Sequence, residues 1–393
     1  VKMKRIFSYT LFSVFLLITL SGTVSCAWND NPAAVRTSAV RKMMKHQQKI
    51  RIAVAGPWSE HLNLQLEGLE MARDELNAGG GVLGAQIELI PFDDKNNVAE
   101  GQKVAYAIAN DKTIFAVVGH SSSGVSVMNS LIYQYYGLLM FSPLSTSREL
   151  THQGLSMVFR NIPTDDTFGT EAAKFCSVNG WNKVLVYYLN TSYGESLANA
   201  FELQCSNSGV TVQDRESYES SYVARDYAGQ MKKWQKNYSF DAIFLAGLMP
   251  QAGDIVCEIR KAGITLPIIG GDTFDVPMLF KTAGKDATDV YAVTNFDLNS
   301  TWPAFVVFKK AFFEKYKTEI DQGAFQGYDA LMVLAEGIKQ AGKLDVSAVA
   351  ASLRKIGEWK GTAGPYKFDE NGDIPGKKVV IKQAVGDTFI KVQ

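Results

Sequence analysis

Serines, glycines and one well-placed carboxylate are the residues of this sequence from which chemistry could be built. Gly119-His120-Ser121-Ser122-Ser123-Gly124 sets three serines beside a histidine, but the G-x-S-x-G spacing of a nucleophile elbow fails at Ser123. Gly79-x-Gly81-x-x-Gly84 matches the dinucleotide fingerprint by letter. Its context is reversed, because a helical pattern precedes it and a strand follows, so it reads as a helix stop and turn. No phosphate loop ending in Gly-Lys-Ser/Thr is present, and His46, His61, His120 and His152 lack metal-ligand spacing. No metal and no cofactor is expected. Without an activated nucleophile or a paired acid and base, the residues point away from an enzyme.

Binding chemistry is what remains. Ser123-Gly124 opens a helical segment whose free N–H groups favour an anion such as a carboxylate. Ser142-Pro143-Leu144-Ser145-Thr146 is a second hydroxyl-rich turn, and Gly56-Pro57-Trp58-Ser59 a third. Plain N-capping accounts for any one of these serines alone; two clusters at neighbouring strand ends favour a site. Farther along, Tyr193-Gly194, Gly247-Leu248 and Gly270-Gly271-Asp272-Thr273 also follow strands. Asp272 comes after two glycines, so its carboxylate can approach a ligand and accept hydrogen bonds from an ammonium; a helix cap is the competing reading. Burying that charge in a closing cleft is costly without a cationic partner.

Alternating strands and helices place these turns. From Lys49 the pattern runs strand Ile50 to Ala55, helix with Leu62, Leu66, Leu69 and Leu76 on one face, strand Ile87 to Phe92, helix Val98 to Asn110, strand Ile114 to Val118, helix Gly124 to Tyr136 and strand Leu138 to Phe141. The strands are continuously apolar, as strands buried on both faces of a parallel sheet should be. A second series starts near Thr167: strands Lys183 to Tyr188, Val210 to Asp214, Asp241 to Leu245 and Pro267 to Gly270 alternate with helices Phe168 to Val178, Gly194 to Ser206, Asp226 to Trp234 and Gln251 to Lys261. Helices Ala304 to Lys317 and Phe325 to Ala341 precede a strand-rich tail from Gly364 to Val392. The fold class is α/β, with two doubly wound lobes whose ligands gather at the carboxyl ends of the strands.

Bulk properties agree with two lobes. A chain of 393 residues is long enough for two cores, and 40 Lys+Arg against 40 Asp+Glu leave no net field to collect nucleic acid or an anionic membrane surface. A small-molecule partner fits better. Lys2, Lys4 and Arg5, the apolar run Ile6 to Leu20 and the small residues Ser21 to Cys26 read as an export signal over residues 1–25, too short for a bilayer core of roughly 30 Å. Cys26 stands where bacterial lipoprotein signals carry the lipidated cysteine, although Thr23 replaces the usual leucine; cleavage after Ala27 is the rival. Residues 26–48 lack a durable apolar period and read as a tether. Cys176, Cys205 and Cys257 form no C-x-x-C pair; Cys176 and Cys205, each late in a helix flanking one strand, either pair in an oxidising compartment or stay buried and free.

Several phrases, taken in order, resemble the periplasmic leucine/isoleucine/valine-binding protein family, the substrate-binding components of branched-chain amino acid ABC transporters. They are Glu75 to Gly84 followed by Asp93-Asp94, Val117-Val118-Gly119-His120, Phe141-Ser142-Pro143 with Thr146 and Glu149-Leu150-Thr151, Phe159-Arg160, Tyr193-Gly194-Glu195 and Gly270-Gly271-Asp272. The likeness runs from about Lys49 to the C-terminus. It implies a type I periplasmic-binding-protein, or Venus-flytrap, fold: two Rossmann-like lobes joined by three crossovers, here 49–164 with 297–361 and 165–296 with 362–393. By motif, Ser123 and a backbone N–H near Leu144 are expected at the ligand's carboxylate with Thr146 beside them, Asp272 at its ammonium, and Tyr193 over it. Phe325 falls in the segment lining the side-chain pocket. Departures concern the variable end: Leu248 stands where the family often has tyrosine, Trp58 and Glu60 replace smaller residues, and the cysteines often found after Asp-Asp and Gly-His are absent, with Lys95, Asn96 and Ser122 in that neighbourhood. The resemblance implies an exported monomer, periplasmic or on the outer face of the membrane and held there at most by a lipid on Cys26. It would deliver a small branched-chain-like amino acid to ABC permease subunits. An amide, urea or aromatic carboxylate as ligand, or service as a receptor's sensing subunit, are the alternatives.

Overall fold

The computed structural model describes residues 31–219 and 227–393. The expected export signal, Cys26 and Ala27 lie outside the described residues. The segment read as a tether does not behave as one: residues Pro32–Gln47 form helix α1, docked on the first lobe. Its anchor is a cation. Arg36 is fully buried and donates to the carbonyl oxygens of Ala109, Asp111, Ile114 and Tyr136 at 2.6–3.1 Å, while Val40, one turn on, enters the core. Burial pushes the Arg36 guanidinium down to about 10, with Asp111 acting the other way. A helix held by one arginine and one valine shows no apolar stripe, which is why the sequence reads as unstructured there.

The first lobe alternates β1 (Lys49–Gly56), α2 (Gln65–Ala78), β2 (Gln86–Asp93), α3 (Val98–Asn110), β3 (Ile114–Gly119), α4 (Ser123–Tyr135), β4 (Leu139–Ser142), the short α5 (Glu149–His152) and β5 (Val158–Arg160). Its sheet is parallel in the order β2-β1-β3-β4-β5. β3 and β4 are buried along their whole length, as their unbroken apolar sequences require.

The chain then crosses to α6 (Asp165–Val178), β6 (Lys183–Leu189), α7 (Ser192–Ser208), β7 (Thr211–Tyr218), α8 (Tyr227–Asn237), β8 (Ala242–Ala246), α9 (Gln251–Lys261), β9 (Ile268–Gly270), α10 (Pro277–Ala283) and β10 (Val290–Thr294). It returns through α11 (Pro303–Tyr316), α12 (Gln322–Ala341), α13 (Val346–Lys355), β11 (Trp359–Gly361) and β12 (Gly364–Tyr366), and ends in β13 (Val380–Val385) and β14 (Thr388–Lys391). The second sheet is ordered β14-β13-β10-β9-β8-β6-β7, with β13 antiparallel to β10. Both lobes are thus α/β layers wound about a mostly parallel sheet.

The boundary expected between 361 and 362 lies later. Tyr366, Phe368 and Ile374 pack into the first lobe's core, and Phe368 sits edge-on to Phe141 and Phe159 with ring centroids 5.8 and 5.4 Å apart. Only with β13 does the chain join the second sheet. On the same lobe α12 lies so close to α2 that a Cβ on Gly68 would stand 1.9 Å from the Ala324 carbonyl oxygen, so only glycine allows this approach.

Cys176 and Cys205 are buried and free. The expected alternative of a bridge is therefore corrected: both thiols serve as packing on the α6–α7 face with Phe168 and Phe201. Burial raises both, that of Cys205 to about 12. Alkylation in denaturant without reductant should label Cys176, Cys205 and Cys257 alike; a mass two units low with Cys176 and Cys205 unlabelled would show a bridge. Arg36→Ala should lower the unfolding free energy by about 2–4 kcal/mol in urea titrations, because carbonyls now served by the guanidinium would be buried without a donor, and should expose residues 32–47 to proteolysis.

Candidate functional site

Turns at the carboxyl ends of β2, β3 and β4 meet turns from β6, β8 and β9 around one cavity of about 480 Å³. The first lobe contributes Asn96 to Ala99, Ser121 to Val125 and Leu144; the second contributes Leu189, Thr191, Tyr193, Leu248, Asp272 and Thr273.

On the first wall Ser123 begins α4, and its Oγ accepts from the backbone N–H groups of Thr146 and Ser147, both at 3.2 Å. Thr146 is buried behind this contact. Arg160 holds the other side of the same turn: it donates to the carbonyl oxygens of Ser145 and Ser147 and to Thr151 Oγ1, and pairs with Asp373 at 2.7 Å. With its carbonyls engaged from behind, the turn keeps its amides on the Ser123 side. Asn97 caps α3 by accepting from Ala99 and Glu100 N–H, which fixes the residues that form the outer part of this wall.

On the second wall Tyr193 is placed by α7, whose cap is Thr191. The Tyr193 hydroxyl donates to Asp272 Oδ1 at 3.2 Å and lies 3.0 Å from Thr273 Oγ1, which donates to the Gly247 carbonyl at 2.7 Å. Gly271 makes the approach feasible, since a Cβ there would stand 2.6 Å from the Tyr193 hydroxyl oxygen. Burial raises the Asp272 carboxyl to about 6, against the pull of Tyr193, backbone N–H groups and Gln322. Asp165, the first residue of α6, goes further: burial lifts it to about 8, the Asp272 charge adds to the rise, and the hydroxyls of Thr146 and Ser196 and the charge of Arg160 oppose it. At the rim the Arg148 N–H donates to Ser196 Oγ at 3.2 Å, joining the lobes.

A profile of the periplasmic binding protein family matches residues 31–387. The chain belongs to this family. Its relatives include the leucine-, isoleucine-, valine-, threonine- and alanine-binding protein of Pseudomonas aeruginosa, 29% identical over 83% of this chain and 87% of the relative. Among solved structures, an ABC transporter substrate-binding protein of Desulfitobacterium hafniense in complex with Leu superposes with a TM-score of 0.78 at 32% identity, over 88% of this chain and 100% of that one. The branched-chain amino acid transporter substrate binding protein of Streptococcus pneumoniae in complex with isoleucine gives a TM-score of 0.77 at 25% identity, again over 88% and 100%.

In this periplasmic binding protein Ser123, Leu144, Tyr193, Leu248 and Asp272 come together on the cavity wall, with Thr146 directly behind Ser123. Two expected residues do not join them. Phe325 is fully buried in an aromatic cluster, stacked on Phe296 at 5.7 Å and edge-on to Phe305 at 6.3 Å, so it supports α12 and does not line the cavity. Trp58 is absent from the cavity wall as well: its indole lies over Gly56, with Nε1 donating to the Val54 carbonyl at 3.3 Å. Asn97, Leu189 and Thr191 line the wall with no motif to mark them in the sequence. Their signal was positional, since each follows the carboxyl end of β2 or closes β6. Among the described residues no group of three or more His, Cys, Asp or Glu side chains converges to hold a metal, and no helix is long and apolar enough to cross a membrane.

Asp165 makes stability depend on pH. Its carboxyl is raised from 3.8 to about 8, so between these values the folded protein holds a proton that the unfolded chain has released, and stability falls as pH rises through that window. Asp165→Asn removes this dependence. Its thermal stability relative to the parent should therefore improve steadily from pH 4 to pH 8, read by calorimetric melts at each pH.

Proposed function

We propose that this periplasmic binding protein captures a small amino acid with an aliphatic side chain between its lobes, performs no chemistry on it, and presents the closed complex to ABC permease subunits. The observation that carries the reading is a cavity of opposed polarity: the N-terminus of α4 with Ser121 to Ser123 on one wall, and Asp272 with Tyr193 on the other. Helix N–H groups favour a carboxylate, and a buried carboxylate favours an ammonium. Leu144, Leu189 and Leu248 supply apolar surface for a hydrocarbon side chain. The names of the relatives, and leucine or isoleucine in two solved neighbours, support the same ligand class.

Closure follows from where the contacts lie. A ligand touching both lobes stabilises the closed arrangement only through contacts that the open one lacks, so binding and closure are one equilibrium. The basic, apolar and small residues of the N-terminal run support export to the periplasm or to the outer face of the membrane, where Cys26 would carry a lipid or be lost if cleavage follows Ala27. We expect the protein to act as a monomer.

Calorimetric titration with L-leucine, L-isoleucine, L-valine, L-alanine, benzoate and urea tests the ligand class. Asp272→Ala should weaken amino acid binding by about 2–5 kcal/mol, the range for leaving one member of a buried charge pair unanswered. Unchanged affinity in the variant, or binding of benzoate or urea in place of amino acids, would overturn the assignment.

A further inference from the structure

Behind the cavity, Asp94 at the carboxyl end of β2 and His120 at that of β3 form an inaccessible pair: His120 Nδ1 donates to Asp94 Oδ2 at 2.6 Å, with the side chains 0% and 1% exposed. A polar pair removed from water in this way is weak as a source of stability and is better explained by what it specifies. Each partner is tied to a different part of the first lobe's wall. Asp94 Oδ1 accepts from the Asn96 N–H at 2.9 Å, in a turn where Lys95 and Asn96 both hold left-handed backbone, φ 51° and 50°, readily adopted by asparagine but costly for lysine unless its surroundings impose it. Asn96 and Asn97 of this turn line the cavity.

His120 organises the opposite end. Its carbonyl oxygen accepts from the hydroxyls of Ser126, Ser142 and Ser145 at 3.1–3.2 Å, and the next three residues, Ser121 to Ser123, are the polar wall at the start of α4. Its ring is held on the far side as well, with Nε2 2.9 Å from the Tyr133 hydroxyl and 3.5 Å from Asn129 Nδ2. The tautomer with hydrogen on Nδ1 satisfies all three neighbours at once.

We infer that the Asp94–His120 pair sets the spacing between the Asn96–Asn97 turn and the Ser121–Ser123 wall, and thereby selects ligands by side-chain length. The inference rests on the amino acid reading above. With carboxylate and ammonium held at the two polar walls, a side chain is left the space bounded by the Asn96 turn, Leu189 and Leu248. Loosening the pair lets that turn shift without disturbing Asp272 or the Thr146 contact, so selectivity changes before zwitterion recognition does.

Asp94→Asn and His120→Gln, compared with the parent by titration with glycine, L-alanine, L-valine, L-leucine and L-isoleucine, decide the matter. The ratio between the best-bound and the shortest bound amino acid should shrink by about tenfold in both variants, the scale on which apolar pockets discriminate one or two methylenes, while affinity for the shortest stays within about threefold. Hydrogen exchange on the ligand-free protein should quicken at the Asn96 amide in His120→Gln. An equal loss along the whole series, an unchanged ratio, or unaltered exchange at Asn96 would overturn the inference. If both substitutions prevent folding, Tyr133→Phe, which removes only the hydrogen bond at the ring's far side, carries the same comparison. Should the parent bind none of these amino acids, the proposed function fails, and the exchange measurement still decides whether His120 holds the Asn96 turn.

Discussion

A carboxylate taken out of water must be answered by positive charge or by hydrogen bonds, and that cost organises the centre of this molecule. Asp373 is met by Arg160, His152 and Thr151, and Asp94 by His120 and the Asn96 amide. Asp272 receives only neutral donors, the Tyr193 hydroxyl, backbone N–H groups and Gln322, and burial lifts its carboxyl. Asp165 lies near that charge and is lifted further. The groups that are fully paired fix loops, while Asp272, under-compensated, lines the cavity between the lobes. On the proposed reading, an ammonium arriving there answers the Asp272 charge, and that contact favours closure.

The paired acids also explain why turns of such different sequence stay in register. Arg160 reaches two carbonyls of the Ser142 to Ser147 turn, and through Asp373 the same guanidinium is joined to the segment that leads back to the second sheet. A displacement of that returning segment therefore reaches the Ser123 wall through one side chain. If, as proposed, the lobes close on a ligand, such links preserve the geometry of each half through the motion.

Much of this architecture was legible because its signals are local. Continuously apolar strands, helices with one apolar face and serine or glycine turns at strand ends read directly as two wound lobes, and Ser123 and Asp272 stand where turn chemistry suggested. What escaped depends on contacts made at a distance. Helix α1 is anchored by Arg36, whose partners lie more than seventy positions away, so no pattern in its own window reveals it. β5 and β10 are short strands that gain identity from their neighbours in the sheet. Phe325 belongs to a helix beginning near the cleft, and only packing with Phe296 and Phe305 shows that its ring turns into an aromatic core. The late domain boundary has the same origin, because Tyr366 and Phe368 are claimed by aromatic partners of the first lobe.

The seat of α1 has a mechanical side. Arg36 grips carbonyls at the start of β3 and the end of α4, whereas the cavity lies at the opposite ends of the strands. Force applied through the leading segment would run into the base of a single lobe and bypass the mouth. A surface, bead or reporter attached at Pro32 would load the base of that one lobe and leave the residues of the cavity untouched.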